Sequence, residues 1–310
     1  MSSVLRRAWF GPLVALLAVY ALFAVLAPDT FTGAVNLATM ARQTAVVAIT
    51  SLGMTFVILL GGIDLSVGSA VALSGVVVAR ALQAGHGAFT AVLAGVLVPA
   101  LAGLVNGALT ARAKITPFIV TLGTMSVLRG VAKGLAGEQK IDAEPRGLEH
   151  WMNSGSVTAL PAGIWLAVAL AVLAALVLEY TVFGRHVVAI GSNASTARLC
   201  GVAVERVTLA VYALAGALTG VAGVLEFSTL TVGDPTDSMG LELEAIAAVV
   251  IGGGSLAGGQ GSIAGAMLGA LLMTVIKTGC THVGVPNWVQ EISTGVIIVV
   301  AVGIDRFRRR

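Results

Sequence analysis

ILLGGIDLSVGS, spanning Ile58 to Ser69, sets a single acid, Asp64, behind paired glycines and between two apolar runs. The chain around it is 57% hydrophobic and only 11% charged. An ionisable group near bilayer depth is costly, and such groups mark functional sites by default. The glycines free the backbone to break a helix beside it. Transport is the first function these residues point to. A second reading stays open: Asp64 lies just before the next apolar run, where an acid complements the positive end of a helix.

Working outward, the mean hydropathy of +0.98 and repeated uncharged runs of about 20 residues exceed what a soluble core needs and define an all-α, polytopic membrane protein. The 39 glycines fit helices that pack backbone to backbone in lipid. Gly103/Gly107, Gly216/Gly220 and Gly265/Gly269 have the four-residue spacing that permits close approach. The net charge of +3 is clustered at Arg6, Arg7, Arg112, Lys114, Arg185, Arg198, Arg206, Arg306, Arg308, Arg309 and Arg310. These groups read as the positive-inside signal, which argues against a nucleic-acid partner.

The uncharged runs predict about ten crossings, some short or broken. The first, about Phe10 to Ala27, is longer than the apolar part of a secretory signal and reads as an uncleaved helix. The second lies between Arg42 and Asp64, and the third runs from Ser66 toward Arg80. The fourth covers about Phe89 to Thr110 with Pro99 inside it, and the fifth starts at Pro117, a favoured first-turn residue. Lys133 to Pro161 is a polar outside loop, followed by helices at about Ile164 to Glu179 and Val207 to Phe227. Ala245 to Ile276 is uncharged but cut by Gly252 to Gly261 into two shorter helices, and a last helix covers about Trp288 to Ile304. Both termini then fall in the cytoplasm and the acidic loop after Phe227 outside. Cys200 and Cys280 fall on opposite sides and form no disulfide.

GGIDLSVG (Gly61 to Gly68) aligns without gaps to GGGSLAGG (Gly252 to Gly259), a candidate internal repeat of two broken helices. Polar groups inside apolar helices are the candidate substrate path: Asp64, Ser66, Asn106, Thr121, Thr124 and Ser126. They can exchange hydrogen bonds with a hydroxylated solute, although Ser and Thr in helices also bond back to their own carbonyls. His86, His150, His186 and His282 are dispersed, which leaves no metal set and no base for an intramembrane hydrolase. No glycine-rich segment ends in Gly-Lys-Ser/Thr, so any ATP hydrolysis belongs to another chain.

Four long, ordered stretches resemble the permease subunits of bacterial ATP-binding-cassette importers for monosaccharides, the ribose, xylose, galactose and autoinducer-2 type. They are Asn36 to Ser69 (NLATMARQTAVVAITSLGMTFVILLGGIDLSVGS), Ile115 to Ala132 (ITPFIVTLGTMSVLRGVA), Phe183 to Val202 (FGRHVVAIGSNASTARLCGV) and Glu242 to Leu272 (ELEAIAAVVIGGGSLAGGQGSIAGAMLGALL). The resemblance implies one type II-like transmembrane permease domain over residues 1–310, without a cofactor and without hydrolytic activity. It implies a second permease subunit (homo- or heterodimer), a cytoplasmic ABC ATPase subunit, and a periplasmic or lipid-anchored sugar-binding protein as partners. It also implies that the cytoplasmic loop at about 185–206 carries a coupling helix for the ATPase. The matching positions are Arg185, Ser192, Asn193, Ala194, Arg198, Gly201 and Arg206. Independently of the resemblance, Ser192 and Asn193 are cap formers and Gly201 a stop signal for a short helix between them, and the arginines serve equally as inside anchors. Where such permeases commonly carry an acid followed by two alanines, this chain has Ala194, Ser195 and Thr196, so any ion pair from that acid is absent or replaced. The rival function is a secondary transporter coupled to protons or sodium through Asp64, Glu226 or Glu244, which needs a converging ion site.

Overall fold

The computed structural model describes residues 10–153 and 160–308, with side chains as far as residue 303. Arg6, Arg7, Arg309, Arg310 and part of the polar loop before Pro161 lie outside what is described, as do the side chains of Arg306 and Arg308. Among the described residues the chain forms thirteen helices: α1 (Phe10–Leu26), α2 (Pro28–Phe31), α3 (Ala34–Leu59), α4 (Val67–Gln83), α5 (Ala88–Ala111), α6 (Pro117–Ala136), α7 (Ala162–Tyr180), α8 (Val182–Ser192), α9 (Ala194–Leu199), α10 (Val204–Leu230), α11 (Leu241–Ile251), α12 (Ile263–His282) and α13 (Asn287–Arg308). Helices α3, α5, α6, α7, α10 and α12 are long and apolar enough to cross a membrane. Helices α1 and α4 have 17 residues each, about 25 Å at 1.5 Å per residue. Helix α11 has only 11 and stops at a glycine break.

Two boundaries differ from the sequence reading. Helix α3 begins at Ala34 and runs straight through Arg42, which the charge pattern marks as a boundary. The guanidinium escapes along the helix surface and donates to Asn153 Oδ1 at 2.8 Å, so the charge is satisfied without ending the helix. The polar stretch from Arg185 to Arg206, expected as a loop with one short helix, is α8, α9 and the first turn of α10.

The helices pair through their small residues. At Gly103 and Gly107 of α5 any side chain would strike Tyr212 and Leu209 of α10, and at Gly216 and Gly220 it would strike Pro99 and Val96 of α5. The two backbones meet over both pairs because no Cβ intervenes. Gly265 and Gly269 give α12 the same approach to Gly252 and Ala248 of the α11 region, so all three spaced pairs are packing faces. Ser74 of α4 donates to the carbonyls of Gly95 and Gly220 at 2.8 and 3.1 Å, tying three helices together. Every residue of α3 from Ala45 to Leu59 is buried. Helices α5 and α7 instead expose Leu97, Leu101, Val172 and Leu173, a lipid-facing belt. Phe89, Trp165 and Trp288 lie exposed at helix starts, where amphipathic rings favour the membrane interface.

The bundle has two chemically different ends. At one end most cations are paired or bonded, Lys133 excepted among the described residues: Lys140 to Asp234 at 3.1 Å, Lys277 to Glu244 at 2.7 Å, and Arg80, Arg129 and Arg146 to backbone carbonyls. Here the strands β1 (Ile141–Asp142) and β2 (Val232–Gly233) pair antiparallel and join the two polar loops. Partial burial works against a charge on Asp234, but hydrogen bonds from Thr236 and the nearby Lys140 outweigh it and hold its carboxyl below the usual range. At the other end lie Arg112, Lys114, Arg185, Arg198 and Arg206, and none of them forms an ion pair among the described residues.

The internal repeat is real in backbone terms but shifted by one residue from the gapless alignment. Gly61 N bonds to Ile58 O and Gly62 N to Val57 O; Gly253 N bonds to Val250 O and Gly254 N to Val249 O. Gly61 and Gly253 both have φ of +88°, a conformation glycine adopts at little cost. The second break, Gly252–Ser262, is longer than the first, Leu60–Ser66, and opens on three consecutive glycines, which match Gly61–Gly62 in either register.

Gly216→Ala drives a Cβ into the Pro99 carbonyl and is expected to destabilise the fold by about 1–3 kcal/mol. Gly130→Ala, whose Cβ meets nothing, is expected to be neutral or stabilising by up to about 1 kcal/mol. Thermal unfolding of the detergent-purified variants checks the pair.

Candidate functional site

Asp64 occupies the turn between α3 and α4 and is 4% exposed. Its Oδ1 accepts from the backbone N of Ser66 at 2.9 Å and from Ser66 Oγ at 2.6 Å, so the acid shapes the entrance to α4, whose first cap residue is Ser66. Ser66 Oγ accepts in turn from Asn106 Nδ2 of α5 at 3.1 Å, and Asn106 Oδ1 accepts from Thr124 Oγ1 of α6 at 2.6 Å. Thr121 Oγ1 donates to the carbonyl of Ile63 at 3.1 Å. Five of the six polar residues singled out from sequence therefore converge on the first glycine break. Ser126 does not: it lies exposed on α6. Thr121 and Thr124 also contact carbonyls one turn back in α6, so back-bonding and cross-helix bonding operate together.

The second feature is the segment α8–α9 at the end of unpaired cations. Asn193 caps α9: its Oδ1 accepts from Thr196 N at 2.9 Å and from Ser195 Oγ at 2.7 Å. Gly201, at φ +84°, closes it with bonds from Gly201 N to Arg198 O and Val202 N to Ala197 O. Ser192 plays another part from the one expected, because its hydroxyl bonds back to Val188 O and ends α8. Arg185, Ser192, Asn193, Ala194, Arg198, Gly201 and Arg206 are all exposed. So is Leu199, 89% exposed at the end of α9, an apolar side chain on a helix otherwise capped for water.

This segment is fastened to both glycine breaks. Gly259 N donates to the carbonyl of Leu59, the last residue of α3, at 2.9 Å. Gly191 of α8 packs on that same carbonyl and on Gly259, and Gly258 packs on Gly191. A Cβ at Gly191 would overlap the Leu59 carbonyl. Sequence reasoning saw Gly258 and Gly259 only as part of a helix break and gave Gly191 no role, and their mutual contact carries no signal in a single chain.

Two cavities open at opposite ends. One, of about 410 Å³, lies between the first break and α9 and is walled by Gly61, Gly62, Thr110, Lys114, Arg198 and Tyr212. The other, of about 290 Å³, is walled by Gln43, Glu226, Asp237, Glu244, Thr274 and Lys277. Glu226 and Glu244 thus share a cavity that excludes Asp64, and Glu244 is already paired with Lys277. Among the described residues no three His, Cys, Asp or Glu side chains converge as a metal site.

A bundle of membrane-crossing helices with two broken, repeated hairpins and an exposed capped segment at one end is the architecture of a transport permease. The chain belongs to the family described as branched-chain amino acid transport system / permease component, whose model matches residues 36–302. It is 38% identical to the ribose import permease protein RbsC of Escherichia coli, over 96% of this chain and 95% of that one. It is 37% identical to the ribose import permease protein RbsC of Bacillus subtilis, over 96% and 92%. The L-arabinose ABC transporter permease protein AraH of Azospirillum brasilense is 36% identical over 96% and 88%. No solved structure matches the chain.

Asn106→Ala removes the link between Ser66 and Thr124 in a buried site, and a loss of about 1–3 kcal/mol is expected. Ser126→Ala, on the exposed face, is expected to change stability by less than about 0.5 kcal/mol. Denaturation monitored by tryptophan fluorescence separates the two.

Proposed function

We propose that this chain is the permease subunit of an ATP-binding-cassette importer that carries a monosaccharide or related polyol inward by alternating access. Relatives named for ribose and arabinose import support a pentose as the first substrate to try. The observation that carries the reading is α8–α9: a capped, exposed segment ending in a bare leucine and bolted to both breaks in the membrane helices. Such a segment gives an ATPase a surface to grip and a lever to pull. Two copies, or one copy and a second permease, form the pore. A periplasmic or lipid-anchored sugar-binding protein delivers the ligand to the Glu226 end, and the end of unpaired cations, with both termini, faces the cytoplasm as the positive-inside tendency requires.

In this reading Arg185, Ser192, Asn193, Ala194, Arg198, Gly201 and Arg206 form the ATPase-facing surface. ATP-driven closure of the ATPase pair moves α8–α9, and the Leu59–Gly191–Gly259 contact passes that movement to α3 and α12. Only contacts that differ between inward and outward states shift their balance, and about 1.4 kcal/mol changes their ratio tenfold. The sugar passes the Asp64, Ser66, Asn106, Thr121 and Thr124 cluster, its hydroxyls replacing hydrogen bonds that open as α6 parts from α5. Ser126 joins the path where the exposed face of α6 turns toward the second permease subunit.

Leu199→Asp tests the coupling surface. Interface hot spots are worth about 2 kcal/mol or more, so an affinity loss of about 30-fold is expected. The ATPase should no longer copurify with the tagged permease, and pentose uptake by membrane vesicles supplied with ATPase and binding protein should fall in step. Retained copurification and uptake, or uptake driven by an ion gradient without any ATPase, would overturn the reading.

A further inference from the structure

The cavity of about 290 Å³ at the Glu226 end lies apart from the Asp64 cluster, and its wall is chemically mixed. Glu226 stands one turn before the end of α10, between Leu225 and Phe227, which are fully buried. It forms neither a hydrogen bond nor an ion pair among the described residues. A carboxylate held among membrane helices without a partner is costly, and such groups mark solute paths. The other acids on the wall are already engaged. Glu244 is paired with Lys277 at 2.7 Å, and Asp237 Oδ2 accepts from Ser238 Oγ at 2.8 Å. Arg129 donates to the carbonyls of Pro235 and Asp237 at 2.8 Å each, which fixes this loop against α6 and sets a further cation beside Asp237.

The wall suits a neutral, hydroxylated solute better than an ion. Lys277 repels a cation and Glu226 an anion, and among the described residues no three His, Cys, Asp or Glu side chains converge as a metal site. Lys277 is bonded to Glu244, so no uncommitted cation stands ready for the carboxylate of an amino acid. Glu226 and the remaining carboxylate oxygens of Asp237 and Glu244 are acceptors. Gln43 accepts from Thr278 through Oε1 at 3.3 Å, which leaves its Nε2 to donate, as the spare Nζ hydrogens of Lys277 also do. A sugar hydroxyl donates and accepts at once and uses both kinds of group. Val46, Val47 and Leu241 complete the wall and offer an apolar surface to the C–H face of a ring. At about 290 Å³ the cavity is at the small end of ligand sites, room for one sugar ring and not for an oligosaccharide.

We infer that this cavity is a binding site for a neutral monosaccharide, its hydroxyls donating to Glu226 and its oxygens accepting from Gln43 Nε2 and Lys277 Nζ. The site deepens the importer reading and rests on it for its ligand: a sugar released at this end is caught here before it meets the Asp64 cluster. Glu226 also turns away anionic relatives such as sugar acids, which places part of the selectivity inside the permease.

Saturation-transfer NMR on the purified permease in nanodiscs tests this with D-ribose, L-arabinose, D-galactose, D-ribonate and L-leucine. At least one neutral sugar should bind, at least about tenfold tighter than ribonate or leucine. Glu226→Gln, which deletes a charge that no group in the chain pairs with, should weaken that sugar at least about fivefold through loss of a charge-assisted bond and narrow the gap to ribonate. Gln43→Leu, at an exposed position, should weaken it at least about threefold. Tighter binding of ribonate or leucine than of the sugars, or binding of none of the three sugars, overturns the inference. So does sugar binding indifferent to both substitutions, which would leave the solute to the Asp64 cluster. In vesicles supplied with ATPase and binding protein, Glu226→Gln should lower sugar uptake per ATP at least about threefold while the binding protein still stimulates hydrolysis, and unchanged uptake per ATP counts against the site. Glu226-dependent sugar binding without ATP-driven uptake would sink the importer reading and leave the site standing, whereas ATP-driven uptake without that binding would sink the site alone.

Discussion

The carbonyl of Leu59 is the joint on which the structure turns. It is the last acceptor of a helix buried along its whole second half, and it receives the N–H of Gly259 from the other break while Gly191 presses a bare α carbon against it. A helix C-terminus leaves four carbonyls without intrahelical partners, and in lipid each one left unpaired costs several kcal/mol. Gly61 and Gly62 turn back to satisfy two of them and Gly259 a third. The break in α3 is therefore viable only because the break after α11 and the end of α8 are docked onto it. That shared satisfaction makes three separate segments one mechanical unit, and it requires glycine at the contact because any side chain at Gly191 would pry it open.

The same scarcity of hydrogen-bond partners explains the Asp64 cluster. Helices in a bilayer gain little from apolar contact with one another, since lipid is as apolar as leucine, and they associate instead through close packing and polar bonds. Gly103, Gly107, Gly216 and Gly220 provide the packing between α5 and α10. Asp64, Ser66, Asn106 and Thr124 provide the polar chain that links the α3–α4 turn to α5 and α6. The chain is held by single bonds between neutral groups beyond Asp64 itself. Each is worth about 1 kcal/mol net, so the link between the three helices is the sum of several weak bonds rather than one strong one.

Much of this is legible in the sequence because hydropathy and glycine placement report directly on lipid and backbone geometry. The interruption at Gly61–Asp64, the N-terminal Pro117 of α6, the split at Gly252–Gly261 and the Asn193 and Gly201 boundaries of α9 all follow from such local rules. The errors arise where a side chain reaches beyond its own turn. Arg42 reads as a helix boundary until its guanidinium is seen to find Asn153. Ser192 reads as an opening cap until its hydroxyl is seen to close α8. The repeat reads in the wrong register because glycines match glycines in either frame, and only the paired bonds to Val57 and Val249 decide between them. Ser126 belongs by composition with Thr121 and Thr124, yet its place on the α6 surface separates it from them. Which face of α6 meets lipid and which meets protein is set by neighbouring helices that periodicity in one segment does not encode.

The contrast between the two ends of the bundle follows from what each must meet. At the Glu226 end, Lys140, Lys277, Arg80, Arg129 and Arg146 are bonded to carboxylates and carbonyls within the chain. At the other end Arg112, Lys114, Arg185, Arg198 and Arg206 form no ion pair among the described residues. An unpaired arginine or lysine at the surface costs nothing in water, but it supplies long-range attraction and specificity toward acidic partners. Leu199 adds a solvent-exposed apolar side chain beside those cations. The exposed α9 lies one helix away from the Leu59 joint, because α8, which ends just before it, carries the Gly191 that packs on that carbonyl.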